Sequence, residues 1–197
     1  MQTRSIALHF SSWNRQMNTW PDTRLLQLFG IQVPILQAPM AGATGSAMAI
    51  AVANAGGLAS LPCAMLSPQQ IRDEVTAIRE HTAAPLNLNF FCHQPPADDP
   101  DSHVRWKNLL QPYYQELGAD FDAPTPVSSR APFDSSSCEL VEALKPEVVS
   151  FHFGLPDATL LARVKATGGK VISSATTVDK AIWLDAHGCH AIIAMGH

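Results

Sequence analysis

EVVSFHFGLPDATLLARVKATGGKVISS, Glu147–Ser174, decides the fold. EVVSF at Glu147–Phe151 is a short β-branched and aromatic run, the composition of a buried strand. Pro156-Asp157 opens a helix, because proline suits a first turn and aspartate caps free N–H groups. Gly168-Gly169 stops that helix. KVISS at Lys170–Ser174 is the next strand. A strand, a helix and a strand joined by short connections form a β-α-β unit with its strands parallel.

The same rhythm runs outward in both directions. Downstream, Thr177–Ala186 reads as a helix stopping near Gly188, and HAIIA at His190–Ala194 as a sixth strand. Upstream, LNLNFF at Leu86–Phe91 is a third strand. Ser67-Pro68 starts the helix before it, which runs to about His81. Leu58–Leu61 is a short second strand. It follows an Ala-rich helix, Ser46–Ala55, that ends at Gly56-Gly57. PILQAP at Pro34–Pro39 is the first strand, bounded by prolines. The fold class is therefore α/β, a (β/α)₈ TIM barrel read as truncated after about six of its eight β-α units. The alternative with the same elements is an open, doubly wound sheet.

Residues 1–20 read as an N-terminal extension, either a floppy tail, a transit-like segment, or sequence ahead of a true start at Met17. They carry Arg4 and Arg15, no acid, and no apolar block of the secretory kind. Residues 21–197 form the barrel portion. Its rhythm is broken by an insertion at about 92–143, rich in Pro, Asp and Ser at Gln94–Pro100 and Ala123–Ser137. Val104–Leu117 reads as a helix inside it, with Trp106 and Tyr113 as anchors. Long insertions after barrel strands are commonly lids, and equally often plain solvent loops.

Composition excludes several classes. A net charge of −4 leaves no basic footprint, so neither nucleic acid nor an anionic membrane surface is an expected partner. No apolar run reaches the roughly 20 residues that span a bilayer. Cys63, Cys92, Cys138 and Cys189 are scattered, with no metal-ligand or redox spacing, which suits a reduced, cytoplasmic protein.

In parallel β-α proteins the chemistry gathers at the carboxyl ends of the strands. After the first strand comes Gln37-Ala38-Pro39-Met40-Ala41-Gly42, whose small residues let backbone approach a flat ring. Asn89, at the end of the third strand, offers a donor and an acceptor. Asn87 shares its strand face and competes for the role. His152 stands at the mouth of the fourth strand between Phe151 and Phe153. It is either a proton-transfer group tuned by burial or a structural histidine bonded to a loop. Ser173, Ser174, Thr176 and Thr177 supply four hydroxyls after the fifth strand that either bind substrate or cap the next helix, and capping takes Thr176 or Thr177. The remaining histidines show no ligand spacing.

Together, QAPMAG (Gln37–Gly42), LNFF (Leu88–Phe91), VVSFHFGLP (Val148–Pro156) and SSATTVDKA (Ser173–Ala181) resemble the class I nitronate monooxygenases, formerly called 2-nitropropane dioxygenases. The similarity runs from about Leu25 to the last residue, and VSFHFG is its most specific part. The resemblance implies a barrel that holds FMN without a covalent bond and oxidises alkyl nitronates with O₂ to a carbonyl compound and nitrite. It places the catalytic histidine at His152 and the flavin contacts at Ala38, Pro39, Met40 and Asn89. It implies that His152 handles the proton on the carbon beside the nitro group. No metal is expected.

Two departures stand out. Met195-Gly196 occupies the place of the family's Gln-Gly, and methionine donates no hydrogen bond. His197 is the last residue, where the family continues with an E-A-G-G-H run and two further units. Loops after strands seven and eight typically build a barrel's phosphate site, so weak FMN retention is the expectation for this chain. QAPMAG is shared with wider flavin barrels. The alternatives are therefore an NAD(P)H-dependent enoyl reductase relative and an inactive fragment.

Overall fold

The computed structural model describes residues 20–95, 97, 99–124 and 130–196. Most of the expected N-terminal extension, part of the Pro- and Ser-rich insertion, and His197 lie outside the described residues.

Five parallel strands lie side by side in sequence order: β1 (Ala59–Pro62), β2 (Leu86–Phe91), β3 (Val148–His152), β4 (Lys170–Ala175) and β5 (Ala191–Ala194). Each step to the next strand is a helical crossover, so all carboxyl ends share one rim. The expected first strand contributes a single parallel bridge, Leu36 to Leu58. Leu58 N–H donates to the Ile35 carbonyl and Gln37 N–H to the Leu58 carbonyl, both at 2.9 Å. Pro34 and Pro39 have no N–H to extend that ladder, which is why it stops there. The segment still occupies the place of a barrel's first strand.

The helices form for legible reasons. α3 (Pro68–His81) starts in a capping box: Ser67 Oγ accepts from Gln70 N–H while the Gln70 side chain accepts from Ser67 N–H. α6 (Ala158–Ala166) is capped by Asp157, which accepts from Thr159 and Leu160 N–H. α7 (Val178–Ala186) is capped by Thr177. α2 (Ser46–Asn54) has no cap of its own, and Glu74 of α3 supplies one by accepting Ser46 N–H at 2.7 Å.

Two apolar clusters lie on the two faces of the sheet. The outer one packs Ala59, Leu61, Leu88, Phe90, Val149, Phe151 and Val171 against the crossover helices. The inner one is small: Leu58, Val148 and Ile172 meet Phe29 and Ile31, brought in by the short helix α1 (Arg24–Phe29). α1 thus plugs the amino-terminal end of the sheet's concave face.

The insertion is divided between two helices. α5 (Ser135–Leu144) buries Cys138, Leu140 and Val141 and packs on α3 and α6, so it is the crossover helix between β2 and β3. α4 (Pro100–Glu116) buries nothing. Trp106 and Tyr113, expected as anchors, are 65% and 60% exposed. No helix among the described residues is long and apolar enough to cross a membrane.

Candidate active site

Alternation along the strands fixes what faces the concave side. On β1 and β2 it is Ser60, Asn87, Asn89 and Phe91. On β3 and β4 it is Ser150, His152, Ile172 and Ser174. Above the α1 plug these side chains line a cavity of about 520 Å³. Leu36–Pro39 and Ala41 close one side, and Ile193 and Met195 the other. Polar side chains so placed are costly unless paired, and most of them are paired.

Ser60 is the first junction. Its N–H donates to Gln37 Oε1 at 3.1 Å, and its hydroxyl accepts from Asn87 Nδ2 at 3.0 Å. Asn89 Nδ2 donates to Ser150 Oγ at 2.9 Å and lies 3.3 Å from the Ser150 carbonyl. Two atoms are left over. Gln37 Nε2 and Asn87 Oδ1 are buried and have no hydrogen-bond partner among the described residues. One is a donor and the other an acceptor, and both residues line the same cavity.

His152 is half-buried at the rim. Its Nδ1 lies 2.6 Å from Ser174 Oγ. Burial pushes the imidazole below its ordinary value, because the protonated ring loses hydration. The shift favours the neutral ring, the form that can take a proton. Aromatic neighbours surround it: the Phe153 ring is centred 4.0 Å away and the Phe91 ring 6.0 Å away. Phe153 holds a left-handed backbone, φ 68°, followed by Gly154 at φ 109°. A bulky residue there is strained, and such strain gathers at working sites. Ser173 holds the turn, donating toward the Phe151 and Gly154 carbonyls at 3.0 and 2.9 Å. Cys92 lies beside this group, its N–H on the His152 carbonyl, but burial raises its thiol to about 12 and leaves it unreactive.

Of the residues expected from sequence, Ala38, Pro39, Asn89 and His152 line one cavity. Met40 does not: its side chain is 46% exposed, and its carbonyl accepts the Ala43 and Thr44 N–H groups of the turn. Both Asn87 and Asn89 face the cavity, as alternation requires. Gln37, Ser60 and Ser150 join the polar lining without having been singled out for it, and Ser174 joins it as one of the hydroxyls read as substrate-binding or capping. Strand parity would have placed the three serines.

A parallel β-α sheet with a polar cavity at its carboxyl rim and a half-buried histidine at the mouth is the architecture of a β-α barrel protein. The nitronate monooxygenase family model matches residues 22–197, so the chain belongs to that family. A nitronate monooxygenase of Paraburkholderia phytofirmans is 38% identical over 173 residues, 87% of this chain and 47% of that protein. One from Pseudomonas aeruginosa is 35% identical over 178 residues, 88% of this chain and 50% of that protein. The chain thus spans about half the length of the curated relatives it matches. A nitroalkane oxidase from Streptomyces ansochromogenes superposes with a TM-score of 0.74 at 29% identity, over 87% of this chain and 48% of that one. FabK from Thermotoga maritima, at 23% identity and TM-score 0.62, shares the fold over 87% of this chain and 43% of that one.

Proposed function

We propose that this chain carries the histidine half of an FMN-dependent nitronate monooxygenase site, acting on an alkyl nitronate with O₂ to give a carbonyl compound and nitrite. The single observation behind this reading is His152 at the mouth of a cavity that also holds an unpaired donor and an unpaired acceptor among the described residues. The residues present fit a flavin. Ala38 and Pro39 present little bulk to a flat ring, and Asn89 stands beside them. Below, Gln37 Nε2 and Asn87 Oδ1 are the complementary groups that a ring edge with alternating carbonyls and N–H requires. Leaving each of them unpaired costs about 1–3 kcal/mol, which a bound ring edge would recover. Met195 lines the cavity with a thioether, so it offers packing where a glutamine would offer a hydrogen bond.

When bound, FMN supplies the electron chemistry, which no side chain here can provide. The protein's part is positional. The Ala38–Pro39 backbone and Asn89 orient the ring, and Phe91 and Phe153 keep water from the reacting carbon. His152 takes the proton from the carbon beside the nitro group when the substrate arrives as the neutral nitroalkane. Burial, which favours the neutral ring, suits it to that task.

The test is O₂ consumption with a nitronate in the presence of FMN, with NAD(P)H omitted. Turnover without NAD(P)H separates this reading from an enoyl-reductase reading. His152→Asn should keep FMN affinity, read by flavin fluorescence, and lose about 10²–10⁴-fold in turnover of the neutral nitroalkane. Turnover near wild type in His152→Asn would remove the histidine from the mechanism.

A further inference from the structure

Four hydroxyls follow one another closely after β4, and the structure separates their tasks. Ser173 turns away from the cavity and is committed to the Phe151 and Gly154 carbonyls. Thr176 Oγ1 accepts from Lys180 Nζ at 3.1 Å, and Thr177 Oγ1 caps α7 by accepting Lys180 N–H at 3.2 Å. Ser174 alone among them faces the cavity, and its contact is the 2.6 Å approach to His152 Nδ1. Backbone register builds this contact. Phe151 of β3 pairs with Ser173 of β4, so the next residues on the two strands, His152 and Ser174, leave the sheet side by side.

We propose that Ser174 is a positioning residue that accepts the Nδ1 proton of His152 and so fixes the ring as the Nδ1–H tautomer. This rests on the reading of His152 as a proton acceptor. A neutral imidazole has one N–H and one lone pair. Nδ1 is engaged by Ser174, and Nε2 has no partner among the described residues. A base needs its lone pair directed at the substrate, so the proton must sit on Nδ1 and the lone pair on Nε2. If the Ser174 hydroxyl donated instead, Nε2 would carry the proton and the ring could only donate into the cavity. With the proton on Nδ1, the Ser174 hydroxyl proton turns toward the cavity, where a substrate oxygen can accept it. Ser174 therefore does for this histidine what the orienting partner does in other base–histidine pairs: it selects the tautomer and holds the ring plane.

The tautomer can be read without cofactor or turnover. The full chain is labelled with ¹⁵N-histidine, the His152 signals are assigned by their loss in His152→Asn, and spectra are taken above the ring's titration. The expected result is a protonated-type Nδ1 and an unprotonated-type Nε2. Ser174→Ala should collapse this preference toward the Nε2–H form, and Ser174→Thr should preserve it. A protonated Nε2 in the wild-type chain overturns the proposal, and so does a tautomer that Ser174→Ala leaves unchanged. With FMN and substrate, Ser174→Ala should lower kcat by less than the about 10²–10⁴-fold of deleting the imidazole, move the acid limb of the pH profile, and be rescued by Ser174→Thr. An unchanged kcat and profile in Ser174→Ala also overturns it. If the tautomer is as proposed and His152→Asn keeps full turnover, the functional reading fails while the positioning holds.

Discussion

The concave face of the sheet has two storeys, and they follow opposite rules. The lower storey, Phe29, Ile31, Leu58, Val148 and Ile172, is apolar and closed. The upper storey, Gln37, Ser60, Asn87, Asn89, Ser150, His152 and Ser174, is polar, and two of its atoms lack partners among the described residues. The two are separated by one alternation of the same strands: Leu58 precedes Ser60, Val148 precedes Ser150, Ile172 precedes Ser174. A core built for stability alone would continue the apolar layer upward, because unpaired buried polar groups are costly. The upper layer departs from that pattern.

Breaking the lower storey should give the largest effect on folding. Leu58 is fully buried in it. Leu58→Ala should cost about 2–5 kcal/mol, the usual loss of transfer energy plus residual cavity. Urea unfolding followed by circular dichroism measures it. A loss under about 1 kcal/mol would mean that α1 collapses onto the gap and that the plug is less fixed than the packing indicates.

The rim above the upper storey should behave in the opposite way, and Phe153, beside His152, is the place to see it. Its left-handed backbone costs a non-glycine residue about 1–2 kcal/mol. Glycine relieves that strain, loses about 0.5–1 kcal/mol to its greater chain freedom, and forgoes an edge contact with Phe91, the rings centred 5.3 Å apart. Phe153→Gly should therefore change stability by less than about 1 kcal/mol, with the strain and contact terms offsetting each other. Nitronate turnover should fall, because the ring that shields His152 is gone. A folded, stable variant with full turnover would show that the strained turn serves no purpose at the site.

How far the sequence reaches is clear from particular residues. The rim could be read because strand ends in parallel β-α units are where side chains converge, and EVVSFH and LNLNFF mark two of them unmistakably. His152 and Asn89 stand at those ends and Ala38 and Pro39 in the small-residue loop, but their roles as base and flavin contacts come from the family resemblance. Three features were not legible. α5 is preceded by a Pro- and Ser-rich run, so its buried face is hidden behind a loop composition. Met40 is largely exposed at a turn in which its carbonyl accepts the Ala43 and Thr44 N–H groups, a local geometry that the letters QAPMAG do not encode. The left-handed Phe153 depends on Ser173 reaching forward to the Gly154 carbonyl, a tie between two strands. Parity would have placed Ser60, Ser150 and Ser174 inside, but only the register decides that Ser174 meets His152.

The smallest effect sharpens the comparison most, because it sets two histidines against each other. His190 stands at the start of β5, by the amino-terminal end of the sheet, and its Nδ1 accepts Val171 N–H at 3.0 Å. Burial first, and Lys170 nearby second, hold its pKa below the ordinary histidine value. His152, at the opposite rim, is lowered by burial alone. Both signs are the same. A ring whose folded pKa is lowered binds its proton more weakly in the native chain than in the unfolded one. Its contribution to stability is therefore full above the unfolded value of about 6.5 and declines as pH falls through that value toward the lowered one. Below the lowered value both states are protonated and the loss levels off. Protonating His190 also removes the acceptor for Val171 N–H, a bond that ties β4 to the start of β5. His190→Gln should therefore flatten the fall in urea midpoint between pH 7.5 and pH 5.5 while leaving the pH profile of turnover in place. His152→Asn should do less to the stability profile and abolish the turnover profile's acid limb. If His190→Gln and His152→Asn flatten the same curve, the two ends of the sheet are coupled, and the division into a structural storey and a working one fails.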